Sequence, residues 1–384
     1  MTLRDDTSQA ELALFRESVR RFAEEHISSV YEEWEKDGKV TREFWKQLGD
    51  AGLLCVEMPE EYGGCAAGPE FAHAVYEEFC YLGFTGAYAA TCMQSGIVSH
   101  YINNSATLAQ KERYLPTMAA GVCVGAIAMT EPGAGSDLQN IRTTARAEDD
   151  HFVINGAKTF ISNGQNCDVV IVAAKTNPQA KGSRGITLFF VDADTPGFAR
   201  GANLEKLGQH SCDTSELFFD DVRVPASAIL GELNGGFAVL MQELPRERLL
   251  VASAAVAAAA GVLDTTIEYV KERQVFGQAV SEFQNTRFRI AEMQTEVQIH
   301  QSFIADCMSR LKEGTLDTAT ASMAKLSSTE MQGRVVDGCL QLHGGYGYMM
   351  EYPVARAYAD ARVQRIYAGT SEIMKEIIGK SALG

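Results

Sequence analysis

The segment Met129-Thr-Glu-Pro-Gly-Ala-Gly-Ser-Asp137 marks the point at which the hydrophobic pattern of the chain changes. Upstream of it, to about Gly125, apolar residues recur with the spacing of amphipathic helices. Downstream, to about Gly236, they form short β-branched or aromatic runs bounded by Gly, Pro and Asp, and helical patterns then return. The sequence therefore predicts an α+β fold with three domains. These are an N-terminal helical domain over 1–125, a middle β-barrel or sheet domain over 126–236 and a C-terminal helical domain over 237–384.

Three local patterns predict particular element boundaries. Ser8 and Glu11 have the spacing of a capping box, which predicts a helix start at Ser8. Thr41 predicts a second helix start, with Phe44 on its inward face. Asn155-Gly156, flanked by two strand-like runs, predicts a hairpin turn because both residues tolerate a positive φ.

Composition excludes several classes of function. The 384 residues carry a formal net charge of −16, whereas nucleic-acid-binding proteins usually present a basic surface. The nine cysteines include no Cys-x-x-Cys pair and the seven histidines do not cluster, so we expect reduced core thiols and no metal site. The first ten residues contain no apolar stretch, and the longest apolar run, Leu249–Leu263, is short for a membrane span. We therefore expect a cytoplasmic protein with neither membrane nor nucleic-acid partners.

Three segments rich in glycine or small polar residues stand out. In 129–137, the glycines would let backbone approach a ligand closely, although a loop of turn formers has the same composition. Gln341-Leu-His-Gly-Gly-Tyr-Gly-Tyr348 fits either a helix–helix turn or a contact with a flat or phosphorylated group. In Tyr367-Ala-Gly-Thr-Ser-Glu372, Thr370 is either a plain N-cap or part of an anion-binding helix start. The motifs of Rossmann dinucleotide sites, P-loops and serine hydrolases do not occur in this sequence.

Seven segments, taken in order along the chain, resemble the acyl-CoA dehydrogenase family, most closely its long-chain branch. The resemblance covers nearly the whole chain, and several dispersed motifs in the right order are more specific than any single one. The segments are Ala128-Met-Thr-Glu-Pro-Gly-Ala-Gly-Ser-Asp137, Phe160-Ile-Ser-Asn-Gly164, Asp213-Thr-Ser-Glu-Leu-Phe-Phe219, Glu243-Leu-Pro-Arg-Glu-Arg-Leu-Leu250, Arg273-Gln-Val-Phe-Gly277, Gln341-Leu-His-Gly-Gly345 and Tyr367-Ala-Gly-Thr-Ser-Glu372.

The resemblance implies a C-terminal four-helix bundle and FAD bound between the sheet domain and the C-terminal helices. Enzymes of this family oxidise a fatty acyl-CoA thioester across its α and β carbons to a trans-2-enoyl-CoA. A carboxylate removes the α-proton while the β-hydrogen leaves as hydride to flavin N5, and the electrons pass on to electron-transferring flavoprotein. Because FAD is shared between neighbouring subunits in this family, a homodimer or homotetramer is expected.

The catalytic base is implied by a departure from the commonest family pattern. Many relatives carry it as a Glu immediately before Gly-Thr-Ser near the C-terminus, where this chain has Ala368. The long-chain and isovaleryl branches place the base in an earlier helix, and the matching residue is Glu247. Such a base works in an apolar pocket, where desolvation raises its basicity. The backbone N–H of Ala368 is implied to hold the thioester oxygen together with a ribityl hydroxyl of FAD.

The remaining ligand contacts are implied residue by residue. The FAD contacts on the sheet domain are Ile127, Ala128, Met129, Thr130, Gly135, Ser136, Phe160, Ile161 and Ser162. Those on the C-terminal domain, toward the phosphates and the adenosine, are Arg273, Phe276, Gln284, Gln341, Leu342, His343, Gly344, Gly345, Thr370, Ser371 and Glu372. The substrate contacts are Ser136, Ser183, Arg184, Ala238, Pro245, Arg246, Arg248, Ala368 and Gly369.

Three alternatives to a long-chain dehydrogenase stay open at this point. Small Ser95 and Gly96 resemble the wall of a long acyl cavity, but Ala238 stands where the long-chain branch commonly has an aromatic, so an isovaleryl-type enzyme for short branched acyl groups is the first alternative. An oxidase that passes electrons to O₂ is the second, although such relatives are usually longer. A non-catalytic nucleic-acid-binding relative on the same scaffold belongs to a different class, and the acidic charge counts against it.

Overall fold

The computed structural model describes residues 3–180 and 182–384, so residues 1, 2 and 181 of the expected domains lie outside the described residues. The first part of the chain is helical. A π-helical segment over Met93–Val98 joins the fifth and sixth helices. The helices are α1 (Leu3–His26), α2 (Tyr31–Asp37), α3 (Arg42–Asp50), α4 (Pro69–Tyr81), α5 (Thr85–Cys92), α6 (Ser99–Ser105) and α7 (Leu108–Ala119).

One of the two predicted helix starts is confirmed and the other is wrong. The hydroxyl of Thr41 accepts a hydrogen bond from the Phe44 N–H at 3.3 Å, and α3 begins at the next residue. In contrast, α1 begins at Leu3, so Ser8 lies inside that helix. The helix continues upstream of Ser8, and the N–H groups after Ser8 therefore have intrahelical acceptors and need no cap.

An eight-stranded sheet follows the helices. The strand order is β6-β7-β3-β2-β4-β5-β8, and β1 pairs with β4 in parallel. The neighbouring pairs are antiparallel, except that β2 meets β4 in parallel at one residue pair. The strands are β1 (Gly125–Ala128), β2 (Thr144–Glu148), β3 (His151–Ser162), β4 (Val169–Lys175), β5 (Ile186–Asp192), β6 (Phe198–Asn203), β7 (Thr214–Pro225) and β8 (Ile229–Leu230).

The predicted hairpin turn at Asn155-Gly156 is wrong, because β3 continues through both residues. The chain reverses earlier, between β2 and β3, where Asp149 adopts a φ of 50°. At Gly156 the pairing of β3 with β7 shifts register, and a Cβ there would lie 2.4 Å from the Thr143 hydroxyl oxygen. Glycine is needed for this close approach at a β-bulge, which produces the same local signal as a turn.

The C-terminal part is again helical, as predicted. Three long helices pack on one another, and two shorter ones pack on the third of them. By length and composition the first could cross a membrane, but 67% of its most apolar window is buried inside the protein, as in a core helix. The elements are α8 (Gly236–Glu272), the short strands β9 (Gln274–Val275) and β10 (Gln278–Ala279), α9 (Gln284–Lys312), α10 (Thr318–His343), α11 (Pro353–Ala361) and α12 (Ser371–Leu383).

All nine cysteines are free, and seven of them are buried; Cys65 is exposed and Cys123 is half-buried. Within the described residues, no group of three or more His, Cys, Asp or Glu side chains is placed to hold a metal ion.

Candidate active site

Glu247 is buried on α8, with 6% of its surface exposed. Its Oε1 accepts a hydrogen bond of 2.7 Å from the Tyr101 hydroxyl on α6. Burial raises the pKa of Glu247 to about 7, and nearby Glu243 adds to the rise, while the Tyr101 hydrogen bond opposes it. A carboxyl group that titrates near neutral pH is suited to accept a proton from a weak carbon acid.

An ion-paired arginine precedes Glu247 on the same helix. Arg246 forms a short ion pair with Glu57, and His100 approaches the same carboxylate oxygen at 3.4 Å. Burial alone would raise the pKa of Glu57, but His100 and Arg246 outweigh it and lower that pKa to about 2. Arg246 is therefore neutralised by Glu57, and within the described residues the Glu247 carboxyl has no ion pair. The preceding residue, Pro245, is half-buried inside the helix.

α10 connects this part of α8 to the segment before α12. The Arg248 guanidinium is buried and donates to the Ser322 hydroxyl at 3.3 Å. One turn further along α10, the buried Lys325 ammonium donates to the Gly369 carbonyl at 2.7 Å. Burial lowers the pKa of Lys325 to about 8, and the Arg248 charge contributes. The Glu247–Arg248 pair and the 367–372 motif, which lie far apart in sequence, are thus linked through one helix.

The backbone of the 367–372 motif is unusual at two consecutive residues. Ala368 has a φ of 52°, in the left-handed region that only glycine adopts freely, and Gly369 follows with a φ of 98°. Thr370 then caps α12, accepting from the Ile373 N–H at 3.3 Å. Ser371 donates to Glu330 at 2.9 Å, whereas Glu372 is exposed. A strained alanine that is kept in place by its neighbours is typical of a functional site, where the direction of a backbone N–H matters.

A buried ion pair anchors the loop over 129–137. The Lys158 ammonium on β3 donates to Glu131 at 2.8 Å and to the Met129 carbonyl at 3.0 Å. Glu131 also accepts from the backbone N–H groups of Arg142 and Thr143. The pair fixes the first half of the loop and leaves Gly135 and Ser136 exposed.

Phe160 lies next to this loop on β3, where the neighbouring Thr159 N–H donates to the Thr130 carbonyl at 3.0 Å. It has a φ of 59° and is 67% exposed, although Ile161 beside it is buried. Phe160 thus exposes an aromatic ring from a strained backbone, next to the loop in which Gly133 and Gly135 are open, and offers a face on which a flat ligand can stack. The next residue, Ser162, is half-buried, and Ile127 and Ala128 form the buried strand that leads into the loop.

The 341–348 motif forms a separate site. It lines a surface cavity of about 480 Å³ together with Arg273, Tyr269 and Val275. The His343 ring stacks on Tyr269 at 4.1 Å, and the Arg273 guanidinium lies over the Tyr346 ring. A Cβ at Gly344 or Gly345 would meet nothing within 4 Å in the described chain, so the cavity wall is open there. Of the predicted contacts, this cavity brings together Arg273, Gln341, Leu342, His343, Gly344 and Gly345.

Five other predicted contacts lie apart from these groups. Gln284 begins α9 outside the cavity lining, and Phe276 is 97% exposed on the turn between β9 and β10. Ala238 is exposed in the first turn of α8, nine residues from Glu247, or about 14 Å along the helix. Ser183, which is half-buried, and Arg184, which is exposed, lie on the β4–β5 loop. This loop lies close to the chain just after the 129–137 loop, because a Cβ on the adjacent Gly182 would be 3.0 Å from the Gln139 side chain.

The space expected beside Ser95 and Gly96 is already filled. A Cβ at Gly96 would lie 3.0 Å from Leu250 and 3.2 Å from the Tyr76 hydroxyl. The Ser95 hydroxyl accepts from the Cys55 N–H at 3.1 Å in the buried core. These small residues permit close packing of α8 and α4, and the interpretation that they leave room for a long tail stays a prediction.

Sequence reasoning missed four side chains that organise the site: Tyr101, Glu57, Lys158 and Lys325. Only their types carried a signal. A lysine within an apolar strand or on the inward face of a helix must find an acceptor when it is buried. Its partner could not be named, because each partner comes from a distant segment.

Comparisons with known proteins cover most of the chain. Three family models match: the acyl-CoA dehydrogenase N-terminal domain over 9–122, the middle domain over 126–222 and the C-terminal domain over 234–383. The rat mitochondrial long-chain specific acyl-CoA dehydrogenase is 47% identical over 96% of this chain and 85% of its own. Mitochondrial isovaleryl-CoA dehydrogenase of Pongo abelii is 37% identical over 95% and 87%. A crystal structure of an acyl-CoA dehydrogenase from Geobacillus kaustophilus superposes with a TM-score of 0.95, at 46% identity over 97% and 98%.

The fold and these matches define an FAD-dependent oxidoreductase. The chain belongs to the acyl-CoA dehydrogenase family. The residues present fit the cofactor that this family binds. A Cβ at Gly135 would meet nothing within 4 Å in the described chain, Phe160 exposes a ring near this open backbone, and the Arg273 cavity supplies a planar cation suited to phosphate.

Proposed function

We propose that this protein catalyses α,β-dehydrogenation of a long-chain fatty acyl-CoA to the trans-2-enoyl-CoA, with Glu247 as the base. The observation that carries the proposal is the buried Glu247 carboxyl with a pKa raised to about 7 by burial, in a chain whose alternative base position is Ala368. Bound FAD supplies the acceptor for the β-hydrogen and its two electrons.

In this proposal, different residues of the chain remove the α-proton and stabilise the negative charge that develops on the thioester oxygen. Glu247 takes the α-proton, and its buried setting holds the carboxylate without a competing ion pair. The N–H of Ala368 holds the thioester oxygen, where negative charge develops as the proton leaves. Losing such a donor typically costs about 3–4 kcal/mol of transition-state stabilisation. Arg248 and Lys325 offset the acidic charge of the whole chain locally.

Replacing Glu247 by Gln tests the assignment of the base. The variant should retain FAD and bind acyl-CoA, but anaerobic flavin reduction should slow by on the order of 10²–10⁴ because the proton acceptor is gone. The matched control is Glu243→Gln, which removes a buried carboxyl one turn away that is hydrogen-bonded to Asn104 at 2.9 Å. Bleaching of the flavin by Glu247→Gln at the wild-type rate would assign the base to another residue.

Two classes of substrate, a long-chain acyl-CoA and a short branched acyl-CoA, are each supported by a different observation. The 47% identity to the rat long-chain enzyme favours a long substrate. The close packing around Gly96 favours a short branched acyl group of the isovaleryl type. A series of acyl-CoAs from isovaleryl to palmitoyl, scored by single-turnover flavin reduction, separates the two. We expect the rate to peak at long chains, and a peak at isovaleryl-CoA would transfer the proposal to the short-chain candidate.

The partners and location belong to the same proposal. Electron-transferring flavoprotein is the proposed electron acceptor, and the chain is proposed to act as a homodimer or homotetramer in the cytoplasm. Exposure of Phe276, on the turn between β9 and β10, supports an assembly, because an apolar ring that is 97% exposed is often covered by a second chain.

A further inference from the structure

α6 holds α8 at two points, and one of them is the candidate base. The Tyr101 hydroxyl donates to Glu247 at 2.7 Å, and three residues later Asn104 donates to Glu243 at 2.9 Å. Tyr101 and Asn104 are three residues apart on α6, and their acceptors Glu247 and Glu243 are four residues apart on α8. This spacing places both carboxyl groups on the face of α8 that packs against α6. This is a register between two helices rather than one fortuitous contact.

The π-helical segment over 93–98 directly precedes α6. Its Gln94 side chain accepts from the Gly125 N–H at 3.0 Å and donates to the Met118 carbonyl at 3.0 Å, so it is tied to β1 and α7. Tyr101 follows three residues after this segment and is completely buried. π-helical segments often occur at functional sites because they rotate the residues that follow.

The two oxygens of Glu247 have different surroundings. Oε1 is bound by Tyr101, whereas Oε2 has no hydrogen-bond partner among the described residues. Oε2 is not fully enclosed by the protein. The small exposed surface of Glu247 therefore includes this oxygen. One oxygen is therefore held and the other is free to meet a ligand.

We propose that Tyr101 is a positioning residue for Glu247: its hydroxyl holds Oε1 and thereby presents Oε2 to the α-proton of the substrate. The inference rests on the proposed role of Glu247 as the base. It assigns to Tyr101 an effect on the orientation and the acidity of that carboxyl group, and no direct contact with the reacting carbons.

Among the titratable groups around Glu247, the Glu247 carboxyl itself is the one whose titration the Tyr101 hydroxyl would change. Burial raises the pKa of Cys92 on α5 to about 12 and lowers that of His100 on α6, and Glu57 has a pKa of about 2. These three keep one charge state around pH 7. On α8 itself, the charged neighbours that face Glu247 are Glu243, Arg246 and Arg248.

Tyr101→Phe removes the donor while keeping the ring. A hydrogen bond to the charged form lowers the pKa of a carboxyl group, so its loss should raise the pKa of Glu247 further. We expect the midpoint of the pH profile of anaerobic flavin reduction to rise by about one unit, with rates about tenfold lower below it and acyl-CoA affinity unchanged. Tyr62→Phe is the control, because Tyr62 is a buried tyrosine of the same domain, and Tyr101 is the hydrogen-bond partner of Glu247 among the described residues.

Infrared difference spectroscopy of the carboxyl stretch provides a readout independent of turnover. Titrating the resting protein should show a band that is absent from Glu247→Gln and whose midpoint is higher in Tyr101→Phe. Should Tyr101→Phe fail to retain FAD, replacement of Tyr101 by 3-fluorotyrosine preserves the fold and strengthens the donor, and the midpoint should then fall.

The outcomes distinguish this inference from the proposed function. An unshifted midpoint in Tyr101→Phe, with Glu247→Gln inactive, would overturn the role of Tyr101 and leave the base in place. Wild-type flavin reduction by Glu247→Gln would overturn the base and the inference together. A Tyr62→Phe variant with the same shift as Tyr101→Phe would assign the effect to general loosening of the domain and would also overturn the inference.

Discussion

Glu247 is enclosed by the protein and held through Tyr101, so at the residue scale its burial has a measurable cost. Folding takes a carboxyl group whose ordinary pKa is 4.5 and raises that pKa to about 7. The folded state therefore binds the proton more tightly than the unfolded state. The stability that this group contributes is complete below about pH 4.5 and is lost as pH rises to about 7.

Glu247→Gln should consequently stabilise the substrate-free protein at high pH. Glutamine stays neutral, so the free energy of unfolding of the variant should exceed that of the wild type by about 1–3 kcal/mol at pH 8, and the excess should shrink toward pH 5. Urea unfolding of both proteins from pH 5 to pH 8 measures the difference. A constant difference across this range would mean that the carboxyl group does not titrate there.

At the residue scale, the positive φ values of two residues could not be predicted from the sequence motifs that contain them. Ala368 and Phe160 both belong to segments that the sequence motifs single out, yet only the structure places each in the left-handed region, at φ of 52° and 59°. Each motif can be recognised in the sequence because it is a short run of consecutive residues. The strain arises from the surrounding fold, which holds these two residues in a conformation that they disfavour.

At the element scale, the loop over 129–137 depends on one buried cation. Lys158 is fully buried on β3 and pairs with Glu131, and burial lowers its pKa to about 8. The pair joins β3 to the loop that precedes β2. Removing one partner of such a pair leaves the other charge buried and unpaired.

Lys158→Met should destabilise the protein by about 3–5 kcal/mol and weaken FAD retention, since the loop loses its anchor at Met129 and Glu131. Thermal unfolding and the ratio of flavin to protein absorbance measure the two effects. Lys46→Met is the comparison, because Lys46 pairs with Asp50 on the surface of α3. Equal behaviour of the two variants would show that the buried pair does not anchor the loop.

Elements can be predicted from the sequence where their pattern is self-contained. The start of α3 follows from the cap at Thr41, and the succession of helical, strand and helical parts follows from hydrophobic spacing. The prediction at Asn155-Gly156 is wrong because a bulge in a long strand needs the same residues as a hairpin turn. The pairing with β7 decides between them, and it involves residues far along the chain, such as Phe219 opposite Gly156.

At the scale of the whole molecule, the three parts of the chain meet in a buried polar junction. Glu35 on α2 accepts from the backbone N–H of Ser211 at 3.0 Å, in the loop between β6 and β7. The same loop donates to Asp360 on α11, which also accepts from Thr85. Burial raises the pKa of Asp360 to about 6, and Glu35 adds to the rise. The helical and sheet parts are therefore joined by hydrogen bonds as well as by apolar packing.

The sequence by itself determined the succession of helices, strands and helices and the family, because periodicity and dispersed motifs are properties of short stretches. The choice of Glu247 over position 368 as the base stays a prediction from the family resemblance. Only the tertiary structure decided that Tyr101 meets Glu247, that Lys158 meets Glu131 and that the space beside Gly96 is filled. Each of these pairs joins segments distant along the chain. Their energies come from exclusion of water, which exists only once those segments have packed together.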